Sequence, residues 1–161
     1  MREKHDLFVM FLSVALFFGL ILLNVIALRA DEAVNLKVLG DKAQNKNIPI
    51  MLLFVDDDCD DCLLINEEVI IPMQISGDYN NKVIIQIISM DADKLTDFNS
   101  EIVSIDNFSN RYDLELTPSV SFVDGVGNKL LPSISGLSNL EYYGSLLDEA
   151  LEKALLKLHD D

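Results

Sequence analysis

Cys59 and Cys62 are the only cysteines in the chain, and they stand three positions apart. They follow an apolar run, Ile50 to Val55, that stops at three aspartates, and a long apolar-rich segment begins after them. A thiol pair between a buried strand and the start of a helix is the layout of a thiol–disulfide exchange site. The same two thiolates would also suit copper(I), a soft metal, which leaves a copper(I)-binding or delivery protein as an alternative. A third reading makes the pair static and the domain a redox-inactive interaction module. Structural zinc needs four ligands, and the only histidines, His5 and His159, lie at the two ends of the chain. No resident metal site is therefore expected. A small domain stapled by disulfides would need more cysteines spread along its length.

The pair is embedded in acid. Five of the seven residues from Asp56 to Cys62 are aspartate. The thiolate is the nucleophile in exchange, and the positive end of a helix dipole stabilises it. Asp57, Asp58, Asp60 and Asp61 oppose that effect. One negative charge at roughly 7 Å in water-like surroundings costs a thiolate about 0.6 kcal/mol. Four sum to roughly 2 kcal/mol before salt screening reduces them. These acids are also suited to plainer work, with Asp57 or Asp58 capping the helix and Asp60 and Asp61 complementing its dipole.

The wider composition sets the context. The 161 residues carry a formal charge of −15 and are half apolar. Residues 1–30 hold three bases and two acids, so the rest carries nine bases against 25 acids, a net −16. Such a surface repels nucleic acid, which is set aside as a partner. Leu7 to Leu28 is 22 residues without a charge, preceded by Arg2 and Lys4. That length reaches the roughly 20 residues needed to span a bilayer and exceeds the roughly 7–15 of a signal-peptide core. Residues 1–30 are expected to be a signal peptide or N-terminal membrane anchor, forming one hydrophobic helix. Everything after Arg29 then lies outside the cytoplasm, where cysteine pairs oxidise.

The elements that must position the cysteines follow in order. Ala33, Leu36, Leu39 and Ala43 predict an amphipathic helix between Asp31 and Asn47, stopped by Pro49. Ile50–Val55 reads as a strand buried on both faces. A helix is predicted from about Cys59 to Ile71, with Asp58 or the acids before it as cap and Pro72 kinking or ending it. Lys82 to Met90 reads as a second central strand, and Asp91 to Glu101 as irregular. Ser104 starts a short helix carrying Ile105, Phe108 and Tyr112 on one face. Ser119–Val123, the turn Asp124–Asn128 and a returning strand Lys129–Ile134 predict a hairpin. Ser138 is expected to cap a last helix with Leu140, Tyr143, Leu147, Leu151, Ala154 and Leu158 at helical spacing. This order predicts an α/β fold with a central mixed sheet flanked by helices.

With these landmarks the segment 31–161 resembles the thioredoxin-like superfamily, and in particular the anchored or secreted bacterial envelope oxidoreductases. The landmarks are the strand running into Cys59-Asp60-Asp61-Cys62, Thr117-Pro118-Ser119 before a strand, the glycine turn Asp124–Asn128, and Gly136 before the last helix. The resemblance implies a cis Pro118, Cys59 as attacking thiol and Cys62 as resolving thiol. It also implies that Thr117 and Pro118 line the groove for a substrate chain. The sequence departs from the cytosolic members of the superfamily. Asp58 replaces an aromatic residue, Asp60-Asp61 replaces Gly-Pro, and Leu53 stands where those proteins keep a buried acid.

The expected function is therefore extracytoplasmic thiol–disulfide exchange, in the bacterial periplasm or at the outer face of the inner membrane. The chain would reduce a cysteine-containing exported protein. No flavin or nicotinamide motif is present, so no cofactor is expected and a membrane electron donor must re-reduce the pair. A thiolate destabilised by acids favours the disulfide, which makes the dithiol reducing. The reduction potential should lie nearer about −270 mV than about −120 mV. Equilibration with glutathione of known poise measures it, and a value above about −200 mV overturns the expectation.

Overall fold

Ile50–Val55 forms strand β1, and its residues explain why it lies at the centre of the domain. All but Val55 are buried, so the strand is covered on both faces. The computed structural model describes residues 34–160. β1 pairs in parallel with β2 (Ile84–Ser89) and antiparallel with β5 (Ser119–Val123). A two-residue strand, β6 (Ile134–Ser135), completes the mixed sheet in the order β2-β1-β5-β6. Such a strand needs the continuous apolar run that the sequence supplies.

Alternation along β1 divides the core in two. Met51 and Leu53 enter one cluster, and Ile50, Leu52 and Phe54 enter the other. The first cluster is completed by Ile65, Val69, Ile70 and Met73 and by Tyr143, Leu147, Leu151 and Ala154 of α5 (Leu140–Asp160). The second takes Leu36 and Ala43 of α1 (Leu36–Lys46), together with Ile105, Phe108 and Tyr112. Ile105 and Phe108 belong to α4 (Ile105–Ser109), which runs into a single 3-10 turn at Asn110–Tyr112. Helices thus cover both faces of the sheet, which is the expected thioredoxin-like α/β architecture. Each buried leucine, isoleucine or phenylalanine contributes about 1.5–3 kcal/mol, and the residues of β1 add theirs to both clusters.

Four local expectations need correction. Pro72 does not end its helix. α2 (Asp60–Ile65) passes through a π-helical turn, Asn66–Ile70, into α3 (Ile71–Ser76), and Gly77 closes it in a left-handed conformation. The Ile71 N–H reaches Asn66 O, one residue beyond the α-helical partner. Widening the helix just before Pro72 accommodates a ring that would otherwise meet the Glu68 carbonyl. The returning strand is also shorter than Lys129–Ile134. Only a bridge, Val123 to Lys129, and the two residues of β6 pair with β5. Pro132 has no N–H to give the ladder, and Ser133 Oγ instead meets Ser121 Oγ at 2.6 Å.

Asp91 to Glu101 is less irregular than its polarity implies. It holds β3 (Lys94–Thr96), which pairs antiparallel with β4 (Ile102–Ser104). Finally, the last helix is entered through Asn139, whose Oδ1 accepts the Glu141 N–H at 2.9 Å, rather than through Ser138. Ser104 does cap α4, accepting the Asn107 N–H at 3.3 Å. The expected hydrophobic helix of residues 1–30 lies outside the described residues. Among the described residues no helix is long and apolar enough to cross a membrane.

The β3–β4 turn is fixed by a fully buried acid, Asp97. Its carboxylate accepts the Asn99 N–H at 2.8 Å, the Glu101 N–H at 3.1 Å and the Arg111 guanidinium at 2.9 Å. Burial by itself would raise the pKa of this carboxyl. The guanidinium and the two N–H groups outweigh burial and hold it below the usual carboxylate range. A folded-state pKa below the unfolded one gives stability that is complete above about pH 4 and lost as pH falls through the folded value. Asp97→Ala should cost about 1–3 kcal/mol near pH 7, because it removes the buried carboxylate that two backbone N–H groups and the Arg111 guanidinium donate to, and the deficit should shrink in acid. Urea denaturation at pH 7 and pH 3 checks this; a pH-independent deficit would contradict the assignment.

Candidate functional site

The register of the sheet brings two distant stretches of sequence to one end. Phe54 of β1 lies opposite Ser119 of β5. The residues that follow β1 and those that precede β5 therefore face one another beyond the paired segment. The first are Asp56 to Cys59 and the second are Thr117 and Pro118. The Thr117–Pro118 peptide is cis, as the resemblance implied. Pro118 O accepts the Gly136 N–H at 2.7 Å, and Gly136 has φ +75°, a conformation that favours glycine. That contact ties the proline loop to the end of β6.

Cys59 and Cys62 form a disulfide with an S–S distance of 2.01 Å and a Cα–Cα distance of 5.1 Å. The residue that caps α2 is not Asp58, nor an earlier acid, but Cys59 itself. It has an extended backbone, φ −113° and ψ 99°, and its Sγ accepts the Cys62 N–H at 3.1 Å. A sulfur in the N-cap position takes the donor that an aspartate oxygen would otherwise take. The two cysteines differ in exposure. Cys62 lies on the first turn of the helix and is 4% exposed, whereas Cys59 is half-buried. Beside them is a surface hollow whose walls include Val55, Leu63 and Ile87 and whose rim includes Asp56, Asp57 and Asn66.

The aspartates are placed unequally. Asp57, Asp58, Asp60 and Asp61 are exposed, and Asp60 and Asp61 occupy the first turn of α2, where the helix dipole favours them. Asp56 was not singled out by the sequence reading, yet it is the member of the run with a side-chain bond across the site. Its carboxylate accepts the Thr117 hydroxyl. On the other side of the loop, Asp91, just beyond β2, accepts the Asp57 N–H at 2.7 Å through its carboxylate. The redox loop is thus held from both neighbouring strands. No local pattern marks Asp56 or Asp91 for these bonds; the strand order, with β1 between β2 and β5, decides them. Leu53 is fully buried in the apolar cluster, so β1 contributes no carboxylate behind the cysteine pair.

Chemically, the arrangement offers one reachable sulfur at a helix N-terminus and a second, shielded sulfur within bonding distance of it. That is the requirement for exchange by attack and resolution. Among the described residues no group of three or more His, Cys, Asp and Glu side chains converges where it could hold a metal ion.

Comparison with known proteins follows the same line. A family model described as a thioredoxin-like domain matches residues 38–151. Thioredoxin O2 from Arabidopsis thaliana in its oxidised state is 20% identical, with a TM-score of 0.48, over 76% of this chain and 93% of its own. DsbH oxidoreductase is 15% identical with a TM-score of 0.48, over 77% of this chain and 90% of its own. The periplasmic thioredoxin SoxS from Paracoccus pantotrophus is 15% identical with a TM-score of 0.45, over 66% of this chain and 98% of its own. No curated protein sequence is significantly similar to the chain.

The unequal exposure of the two sulfurs has a direct consequence for reagents. After reduction, iodoacetamide should modify Cys59 at least about tenfold faster than Cys62. Peptide mapping by mass spectrometry after a short exposure reads the ratio, and equal labelling would contradict the asymmetry.

Proposed function

The chain belongs to the thioredoxin-like domain family, and from that premise we propose that it is an extracytoplasmic thiol–disulfide oxidoreductase that reduces a disulfide in another exported protein. The fold and the Cys59–Cys62 disulfide support thiol–disulfide exchange. The observation that carries the reading is the half-buried Cys59 sulfur at the start of α2, on the same end of the sheet as Thr117–Pro118. The location rests on the apolar run of residues 7–28, read as an export signal or anchor with residues 31–161 as the exported domain.

The reaction runs from the reduced pair. The Cys59 thiolate attacks one sulfur of the partner's disulfide, forming a mixed disulfide and releasing the other partner sulfur as a thiolate. Cys62 then gives up its proton and attacks Cys59 Sγ. The mixed disulfide breaks, the second partner thiolate leaves, and Cys59–Cys62 is restored. The partner gains two electrons and two protons, and the pair loses them. An external dithiol, supplied at the membrane, must return the pair to the reduced form. Cys59 suits the first step because it is the reachable sulfur, and the Cys62 N–H that Cys59 accepts would stabilise its thiolate. Cys62 suits the second because burial keeps it from competing disulfides while leaving it within bonding distance of Cys59.

Asp57, Asp58, Asp60 and Asp61 would weaken the thiolate through solvent, each by less than the roughly 0.6 kcal/mol of an unscreened charge at about 7 Å. Thr117 and Pro118 would border the groove that receives the partner's chain.

Cys59→Ser should abolish reduction of a peptide disulfide while the circular dichroism spectrum is unchanged. Cys62→Ser should stop after the first step and accumulate a mixed disulfide visible on a non-reducing gel. Retained reduction by Cys59→Ser would remove the mechanism.

A further inference from the structure

We propose that Asp56 is a positioning residue, whose carboxylate holds the Thr117 hydroxyl so that the proline loop keeps its place against the redox loop. The inference rests on the exchange reaction proposed above and deepens it. It assigns to one member of the acid run a task that charge alone does not explain.

Asp56 is the first residue beyond β1. In the antiparallel register that pairs Phe54 with Ser119, stepping two residues past the pair on each strand brings position 56 opposite position 117. These two residues are joined by the Thr117 hydroxyl donating to Asp56 Oδ2. The bond therefore extends the β1–β5 pairing by one side-chain rung, at the place where the backbone ladder ends. The serines that follow fix the other side of the same loop. Ser119 Oγ donates to Leu116 O, and Ser135 Oγ lies 3.0 Å from Ser119 Oγ. Pro118 O is held by Gly136 N–H. Of the contacts that hold Leu116–Ser119, the Asp56 carboxylate is the one that comes from the redox loop itself. Asp56 also lies on the rim of the hollow beside Cys59 and Cys62. A carboxylate accepting a hydroxyl makes a stronger and more directional tie than a neutral pair.

The consequence falls on binding of an extended chain and not on thiol chemistry. A peptide disulfide must lie along the Thr117–Pro118 edge and reach Cys59 at once. A small symmetrical disulfide, such as bis(2-hydroxyethyl) disulfide, needs only the sulfur. Loosening the rung from the Asp56 side should raise KM for the peptide and leave the small disulfide unaffected in Asp56→Ala; Thr117 borders the groove, so its variants are read on the peptide alone. Thr117→Val keeps the shape of the side chain and removes the donor; Thr117→Ser keeps the donor and removes the methyl.

The experiment measures steady-state reduction of both substrates, with excess dithiothreitol returning the pair to the dithiol and its direct reduction of substrate subtracted, by the wild-type full chain, Thr117→Val, Thr117→Ser, Asp56→Ala and the double variant Asp56→Ala/Thr117→Val. For the peptide, KM should rise about fivefold to tenfold in Thr117→Val and in Asp56→Ala, with kcat within about twofold. Thr117→Ser should restore it. The double variant should be no worse than either single one, because both remove the same bond. Additive losses, or losses in Asp56→Ala equal for the peptide and the small disulfide, would overturn the proposal. A wild-type chain that reduces neither substrate would instead remove the exchange reaction on which the proposal rests, so the two failures are distinguishable. Melting temperatures of all variants by circular dichroism identify any that fail to fold, and the Thr117→Ser against Thr117→Val comparison stands without Asp56→Ala.

Discussion

Burial of β1 on both faces is the constraint from which the rest of the domain follows. A strand with five fully buried residues cannot lie at an edge. It must have a partner on each side and a layer over each face. β2 and β5 supply the partners, α1 and α4 one layer, α2, α3 and α5 the other. The site is a by-product of that burial. Where the apolar run stops, the chain leaves the sheet at its C-terminal end, and the residues placed there are the aspartates and Cys59. The antiparallel neighbour delivers Thr117–Pro118 to the same point, and the parallel neighbour delivers Asp91. The redox loop owes its exposure to a polar run, and its location to the apolar run before it.

This explains why some of the structure was legible in the chain and some was not. β1 was readable to the residue, since six apolar residues between Pro49 and Asp56 have hard ends. Phe108 and Tyr112 were readable as buried, because four-residue spacing marks a helical face. The failures have a shared cause, which is that the deciding partner lies elsewhere in space. Pro72 is expected to kink or end its helix, but the local sequence does not report the π turn, Asn66–Ile70, through which the helix continues past it. β3 and β4 are three residues each, too short for periodicity, and exist because Asp97 closes the turn between them. Asp56 looked like one of five similar acids until the strand register gave it Thr117.

The cap of α2 is the most informative of these corrections. An aspartate before a helix is ordinarily an N-cap, and Asp58 stood in the right place for one. Cys59 takes the role by accepting the Cys62 N–H at its sulfur. The helix therefore begins one residue after Cys59. The capping donor that an aspartate would have occupied is directed at the Cys59 sulfur. The hydrogen bond that starts the helix would also stabilise the Cys59 thiolate once the disulfide is opened.

That bond decides how far the acids can matter. A hydrogen bond to a charged group contributes about 1.5–3 kcal/mol. The four exposed aspartates together oppose it by roughly 2 kcal/mol without screening, and by less in physiological salt, where the screening length is about 8 Å. The two effects are of similar size, and the nearer one is not screened. The acids would therefore moderate a Cys59 thiolate without suppressing it. The same reasoning separates Asp56 from its neighbours. An exposed carboxylate acts through solvent and is weakened by salt, whereas one bonded to Thr117 acts through geometry, which salt leaves in place. Of five aspartates in seven residues, the one nearest the sheet would, on the proposed reading, set where the substrate can lie, and the remaining four would set how readily the sulfur reacts with it.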